Sequence, residues 1–279
     1  MQSISSKIYD KNYYLHVCLG SEEFRKSRGK ILHPRLQHLL KNLSIDETTK
    51  ILDIGCGRGD ILLFLGRKAK FSVGIDYSKA AIHLANQTKK RFPKNVQKKV
   101  MFHRMNMKRL NFPNDYFDLV LCIDVLEHVY TDEVEKTMKE ISRVLKPNGV
   151  FFIHTGPNKV LNDFTYPRYI LPMNRFLTKI DQIITRKKYA PLPNNPRTNE
   201  ELKQHVHEPT FFYLQNLYRK FSFSGGIQME IGYIKPVTTI KTIAYNALVA
   251  LYPLSKIFPL TILFGWNFVS QLRNEKKVH

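Results

Sequence analysis

The sequence predicts an α/β fold built on a mostly parallel sheet, and three observations carry that expectation. From Lys50 to His154, short apolar runs alternate with longer segments of helical period, the pattern of right-handed βαβ units. Most of the apolar runs are continuous rather than alternating, as in strands buried on both faces. The first run enters a glycine-rich turn, Gly55-Cys56-Gly57-Arg58-Gly59, and the second closes on an acid, Asp76.

The predicted strands are Ile51–Ile54, Phe71–Ile75, Val100–Arg104, Phe117–Ile123 and Val150–His154. Between them, Asp60–Lys70, Ser78–Arg91 and Thr131–Leu145 read as helices; Ser78 can cap the second, and Pro147-Asn148-Gly149 stops the third before the next strand. Ahead of the sheet, residues 1–49 form a polar and aromatic segment with a helix expected from about Arg28 to Leu43. Residues 156–209, rich in Pro, Asn and basic side chains, read as an irregular excursion with one helix near Phe176–Thr185. A helix over Thr210–Lys220 and a strand over Ile227–Tyr233 follow.

Composition narrows the class. The chain has 279 residues, 43% of them hydrophobic, which supports a core and excludes global disorder. Its three cysteines, Cys18, Cys56 and Cys122, are too few and too far apart for a disulfide framework or a cysteine-rich zinc site. The N-terminus shows no apolar secretory core, so a cytoplasmic protein is expected. With 44 Lys and Arg against 23 Asp and Glu, the net charge is +21. Such an excess suits an anionic partner or is simply a solvated surface. The basic residues are spread along the chain rather than gathered in one module, which ranks nucleic acid below an anionic membrane surface or an acidic acceptor.

The glycine turn lets the backbone bend tightly and lets a ligand approach where no Cβ intervenes, and the helix behind it offers free N–H groups. Its spacing, G-x-G-x-G, departs from the dinucleotide fingerprint G-x-G-x-x-G. An acid about 20 residues further on, Asp76, can accept both hydroxyls of a ribose. Asn106-Met107 follows the third strand, and the fourth runs into Asp124-Val125-Leu126-Glu127-His128.

With these motifs in order, the segment from about Lys50 to Asn158 resembles the class I S-adenosylmethionine-dependent methyltransferases of small-substrate type. The matching stretches are ILDIGCGRGD, GIDYS, NMKRLNFPNDYFDLVLCIDVLEHV and LKPNGVFFIHTGPN. The resemblance implies a Rossmann-like, seven-stranded mixed sheet, its last strand antiparallel, with helices on both faces and added insertions. Ile227–Tyr233 and Trp266–Leu272 are the candidates for the closing strands. It divides the chain into an N-terminal lid (1–49) and a methyltransferase domain (50–279), with acceptor-side insertions at about 156–209 and 235–263. It implies S-adenosyl-L-methionine as cofactor, with Gly55, Cys56, Gly57 and Gly59 under its methionyl part and Asp53 ordering that loop. Asp76 would hold the ribose, Tyr77 and Met107 would flank the adenine, and Asn106 stands where the family often has Asp. The backbone at Cys122 and Ile123 would meet the amino-acid end, and Tyr13, with Tyr9 and Tyr14, belongs to a segment that relatives fold over the cofactor.

Methyl transfer from a sulfonium is an in-line displacement, for which alignment can supply roughly 7–11 kcal/mol. A general base is needed only where the acceptor's own pKa is high. The catalytic candidates are Asp124, at the carboxyl edge of the fourth strand, and His205 and Glu208 in Gln204-His205-Val206-His207-Glu208. The same histidine segment reads equally as the entry to a helix. Asp124, Glu127 and His128 resemble a divalent-metal cluster of some relatives, but metal-free relatives carry the same string, and no metal is expected. From Ile243 to Val269 the only charged residue is Lys256. Pro253, Pro259 and Gly265 interrupt this stretch, so a helical insertion over about Lys241–Tyr252 that roofs the acceptor or rests on a membrane is expected, not a span. The leading function is O-methylation of a small-molecule, lipid-linked or glycan acceptor. The alternatives are an RNA methyltransferase, or a non-catalytic cofactor-binding or assembly protein of the same fold.

Overall fold

The computed structural model describes residues 4–230 and 257–276. Its chain order is α1 (Ser21–Ser27), α2 (Pro34–Leu40), β1 (Lys50–Ile54), α3 (Asp60–Leu65), β2 (Phe71–Asp76), α4 (Lys79–Lys89), α5 (Lys94–Lys99), β3 (Val100–Arg104) and β4 (Phe117–Ile123). There follow α6 (Thr131–Val144), β5 (Leu145–Thr155), α7 (Leu171–Thr185), α8 (Asn199–Gln204), α9 (Phe211–Lys220), β6 (Phe223–Ser224), β7 (Ile227–Glu230), α10 (Leu260–Phe264) and β8 (Asn267–Asn274). Wider π-helical turns cover Tyr13–Val17 and Leu161–Ile170, and a tighter 3-10 turn covers Leu126–His128.

The strands form one sheet in the order β3-β2-β1-β4-β5-β8-β6, with β7 also on β8. The first five are mutually parallel, whereas β8 runs antiparallel to β5. Eight strands appear where seven were expected because the edge strand is broken in two. Gly225, at φ +145°, separates β6 from β7, and a Cβ there would sit 2.6 Å from the Gln271 carbonyl. The period-2 alternation of each strand feeds two cores. Leu52, Val120, Cys122 and Phe151 face Val134, Met138 and Ile141 of α6 and Leu214 and Leu217 of α9. Ile51, Leu119, Leu121 and Phe152 face Leu36, Leu39 and Leu40 of α2 and Leu62 and Leu63 of α3.

Several boundaries differ from the sequence reading, each for a local reason. The helix expected over Arg28–Leu43 is two helices: Arg28 and Gly29 turn left-handed at φ +54° and +80°, and α2 restarts at Pro34 with the His33 ring accepting from the Arg35 N–H. Gly66 ends α3 well before Lys70. Pro172 sits in the first turn of α7, so that helix starts at Leu171 rather than near Phe176. Pro147-Asn148-Gly149 lies inside β5 as a bulge, with Asn148 at φ +61° and a register shift opposite Phe117 and Leu119. Ser78 and Thr210 cap α4 and α9, accepting from Ala81 and Tyr213 N–H groups. The end of the expected strand at Tyr233 and the helix expected over Lys241–Tyr252 lie outside the described residues. No helix among the described residues is long and apolar enough to cross a membrane.

Asn274 closes the sheet. Fully buried on β8, its amide donates to the Ser142, Leu145 and Lys146 carbonyls where α6 passes into β5. Asn274→Ala strands those acceptors and should cost about 1–3 kcal/mol, read as a lower urea midpoint at unchanged m-value.

Candidate cofactor and acceptor site

The order of the sheet reverses between β1 and β4, and a cleft of about 940 Å³ opens at the carboxyl ends there. One wall is the glycine turn. The Gly55 and Cys56 N–H groups donate to the Ile75 carbonyl, so the turn leaving β1 is laid across the end of β2. Gly59, at φ +76°, passes so close to the Phe102 ring that a Cβ would lie 2.5 Å from it. Asp76 is 6% exposed. Its carboxylate accepts from the Ser78 N–H at 2.8 Å, the Gly57 N–H at 3.1 Å and the Tyr14 hydroxyl at 3.5 Å. Burial pushes its pKa up, and these hydrogen bonds oppose that shift.

The N-terminal segment covers this wall. Arg58, inside the glycine turn and 3% exposed, donates to the Tyr14 and Leu19 carbonyls, pairs with Asp60 at 3.1 Å and lies over the Phe24 ring. Ser78 donates to the Tyr9 carbonyl at 2.6 Å. Tyr9 packs edge-on against Tyr13, Tyr77 and His128. The Tyr14 ring lies 3.3 Å from where a Gly57 Cβ would be. The tyrosine hydroxyl of this segment therefore meets Asp76.

Of the residues expected at the cofactor, Gly55, Cys56, Gly57, Asp76, Tyr77, Asn106, Met107, Ile123 and Tyr13 line the cleft. Asp53, Gly59 and Cys122 stand behind it. Asp53 is 2% exposed, its Oδ2 has no partner among the described residues, and burial pushes its pKa well up. These residues fit a nucleoside with a charged tail. Asp76 is an acceptor pinned by two backbone N–H groups, Tyr77 and Met107 are flat or soft surfaces beside it, and the open side of Gly57 bears only an aromatic ring.

The opposite wall contains a cluster of which the sequence singled out only Asp124. Asp124, at φ +54°, ends β4 in a backbone conformation an Asp seldom adopts. Its Oδ1 makes a short hydrogen bond with Nδ1 of His154, the last residue but one of β5. His154 Nε2 lies 3.1 Å from Glu230 at the end of β7, and Arg35 of α2 pairs with Glu230 at 3.0 Å. Burial, and the Arg35 guanidinium whose Nη2 lies 2.7 Å from Nε2, lower the His154 pKa; the Asp124 charge and hydrogen bond, with Glu230, outweigh them and raise it to about 9. Burial would raise Glu230, but His154 and Arg35 hold it down to about 2. Asp124 is lowered by the same pairing against its burial.

Glu127, 4% exposed, accepts from the Thr155 hydroxyl at 2.8 Å, and its backbone carbonyl accepts from Val206 and His207. Burial, then the Asp124 charge, raises its pKa to about 8. His128 bonds the Gln204 carbonyl and stacks edge-on against Tyr9 and His205; burial, then His205, lowers it to about 4. Asp124, Glu127 and His128 thus turn to different partners, and no group of three or more His, Cys, Asp or Glu among the described residues is arranged to hold a metal ion. His205 lines the cleft with Nδ1 buried and unpartnered among the described residues, and burial lowers its pKa. Glu208 does not line it: both carboxylate oxygens are taken by Arg197, which does. A functional carboxylate exposed to acceptor was the expectation for Glu208; the bidentate pair makes it a support for Arg197 instead.

The family profile described as "Methyltransferase domain" matches residues 52–153. The Ubiquinone biosynthesis O-methyltransferase of Pelagibacter ubique is 34% identical over 182 residues, covering 60% of this chain and 70% of that protein. The methyltransferase YqeM of Bacillus subtilis is 32% identical over 117 residues, 40% of this chain and 45% of that protein. The chain thus spans about half the length of that second relative. The crystal structure of Bacillus subtilis YcgJ superposes with a TM-score of 0.55 at 17% identity, covering 88% of this chain and 100% of that one. A Haloferax volcanii complex of the Trm112 activator with a methyltransferase gives 0.60 at 13% identity, over 98% and 100%. At such identities both show the fold.

Two outcomes are expected. Gly57→Val, which fills the open side of the turn, and Asp76→Ala, which removes the pinned acceptor, should each weaken S-adenosylmethionine binding by tenfold or more, on the order of 1.4 kcal/mol, in calorimetry on folded protein. His154 carries a raised pKa, so its stabilisation is complete below its ordinary 6.5 and is lost as pH rises toward about 9. On the order of 3 kcal/mol is at stake, and protonated Glu127 acts in the same direction between its ordinary 4.5 and about 8. Thermal melts should fall between pH 7 and 9, and His154→Gln should flatten the upper part of that fall.

Proposed function

This chain belongs to the class I S-adenosylmethionine-dependent methyltransferases, and from that premise we propose that it methylates an oxygen of a small acceptor, free or lipid-linked. The observation that carries the reading is the convergence on one cleft of the pinned Asp76 and of Asp124 and His205. The cofactor supplies an electrophilic methyl group on a sulfonium. Gly55–Gly59 and Asp76 bind and orient it, and the Tyr9–Tyr14 segment excludes water from above.

Asp124, held ionised by His154, stabilises by its charge the imidazolium that forms on His205. His205 is neutral at physiological pH because burial lowers its pKa, and its ring can take the proton of the acceptor hydroxyl. Glu208 keeps Arg197 extended along the acceptor wall. The activity of the Pelagibacter relative, named as an O-methyltransferase, supports oxygen as the acceptor atom.

The test is a labelled methyl donor offered to a cell extract divided into lipid, small polar and RNA fractions. Label is expected in one of the first two. With the acceptor in hand, His205→Ala should lower kcat by about 10²-fold or more at near wild-type cofactor affinity, and Asp124→Asn should lower it without restoring binding elsewhere. Label confined to RNA, or an equal loss of cofactor affinity in His205→Ala, overturns the reading.

A further inference from the structure

Helix α7 has its polarity reversed with respect to the domain. Its buried side chains are Leu171 and Asp181, and Asp181, at 0% exposure, is the only acidic residue between Phe164 and Thr198. The opposite face is apolar and turned outward. Met173, Phe176, Ile183 and Ile184 lie at i, i+3, i+10 and i+11, one stripe of a helix, and are 37%, 64%, 78% and 59% exposed. A surface helix that packs on its own domain does the reverse.

The charge around this stripe has one sign. Arg175 and Lys179 border it on the helix, and Arg168, Arg186, Lys187 and Lys188 flank its ends, all exposed. An apolar stripe rimmed by cations, with its single carboxylate buried behind, matches a surface that is apolar beneath and anionic at its rim. We infer that α7 is an interfacial helix that lies in the headgroup plane of an anionic lipid bilayer. At 15 residues it is too short to span one. The apolar stretch that begins at Ile243, expected to contact a membrane, is not needed for this assignment.

The placement bears on the acceptor. Gly156, Pro157 and Asn162 before α7, and Pro196, Arg197 and Thr198 after it, line the cleft. The bilayer is thus engaged by the extension of the acceptor wall, which points to an amphiphilic acceptor drawn from the lipid phase. That last step rests on the proposed methyl transfer; the bilayer contact does not.

Co-sedimentation of the full chain with vesicles of phosphatidylglycerol and phosphatidylcholine, against phosphatidylcholine alone, tests the contact with no acceptor present. Binding is expected on the anionic vesicles, weakened by at least about tenfold in the double variant Phe176→Glu/Ile183→Glu. Lys179→Glu/Lys187→Glu should remove the preference for anionic over neutral vesicles. Both double variants change exposed side chains, so calorimetric S-adenosylmethionine affinity should equal wild type and reports failure of the fold or of the cofactor site separately. Equal vesicle binding by wild type and by Phe176→Glu/Ile183→Glu overturns the inference. So does an absence of vesicle binding, or self-association in sedimentation velocity that the same double variant abolishes, which would give the face to a second copy of the chain.

Discussion

Parallel strands cannot be joined by tight turns; each must return through a crossover before the next begins. Five successive strands, β1 to β5, obey this constraint, so all deliver their carboxyl ends to the same edge. The site follows from it. Gly55 leaves β1, Asp76 ends β2, Asn106 lies just after β3, Asp124 follows β4 and His154 stands near the end of β5. β8 is the reversed strand, and β7, antiparallel to β8, runs in the same sense as β1 to β5, so its end brings Glu230 to that edge beside His154. One mechanical condition thus collects the polar residues that the cofactor and acceptor require.

Gathering charge at a buried edge is costly unless it is balanced. Two cations, Arg35 and the His154 imidazolium, meet two carboxylates, Asp124 and Glu230. The balance leaves Asp124 ionised and partly open to the cleft while its orientation is set by a ring that is 1% exposed. Glu127, close by but paired to a neutral hydroxyl, is pushed the other way. Two acids three residues apart therefore hold different charge states because their partners differ.

The N-terminal segment is integral to this arrangement. Arg35 on α2 completes the charge cluster, and Arg58 clasps the Tyr14 and Leu19 carbonyls from within the glycine turn. A buried guanidinium can satisfy its donors only if that backbone is in place. The cofactor wall and the segment over it are thus ordered together. The outward apolar face of α7, by contrast, is satisfied by nothing among the described residues of the domain and looks away from this core.

Periodicity and turn chemistry are local, and what they govern was legible in the residues. Continuous apolar runs marked β1 to β5, Ser78 marked the cap of α4, and the ordered motifs around Gly55, Asp76 and Asp124 marked the cofactor side. His154 was read only as the end of a strand, Arg58 as a passing residue of the turn, and Arg35 and Glu230 fell unremarked inside an expected helix and an expected strand. Each acquires its role from a partner 30 or more positions away, as the separations of 195 for Arg35 with Glu230 and 76 for His154 with Glu230 make plain. Glu208 was named with the histidine segment, but the Arg197 pair took it off the cleft surface; Asp53, expected to order the glycine turn, is buried behind the cleft. Local sequence determined which elements form and where their carboxyl ends point. Which charges meet there, and hence which are ionised, was decided only by packing, because Coulomb energy depends on distance and burial and neither is written along the chain.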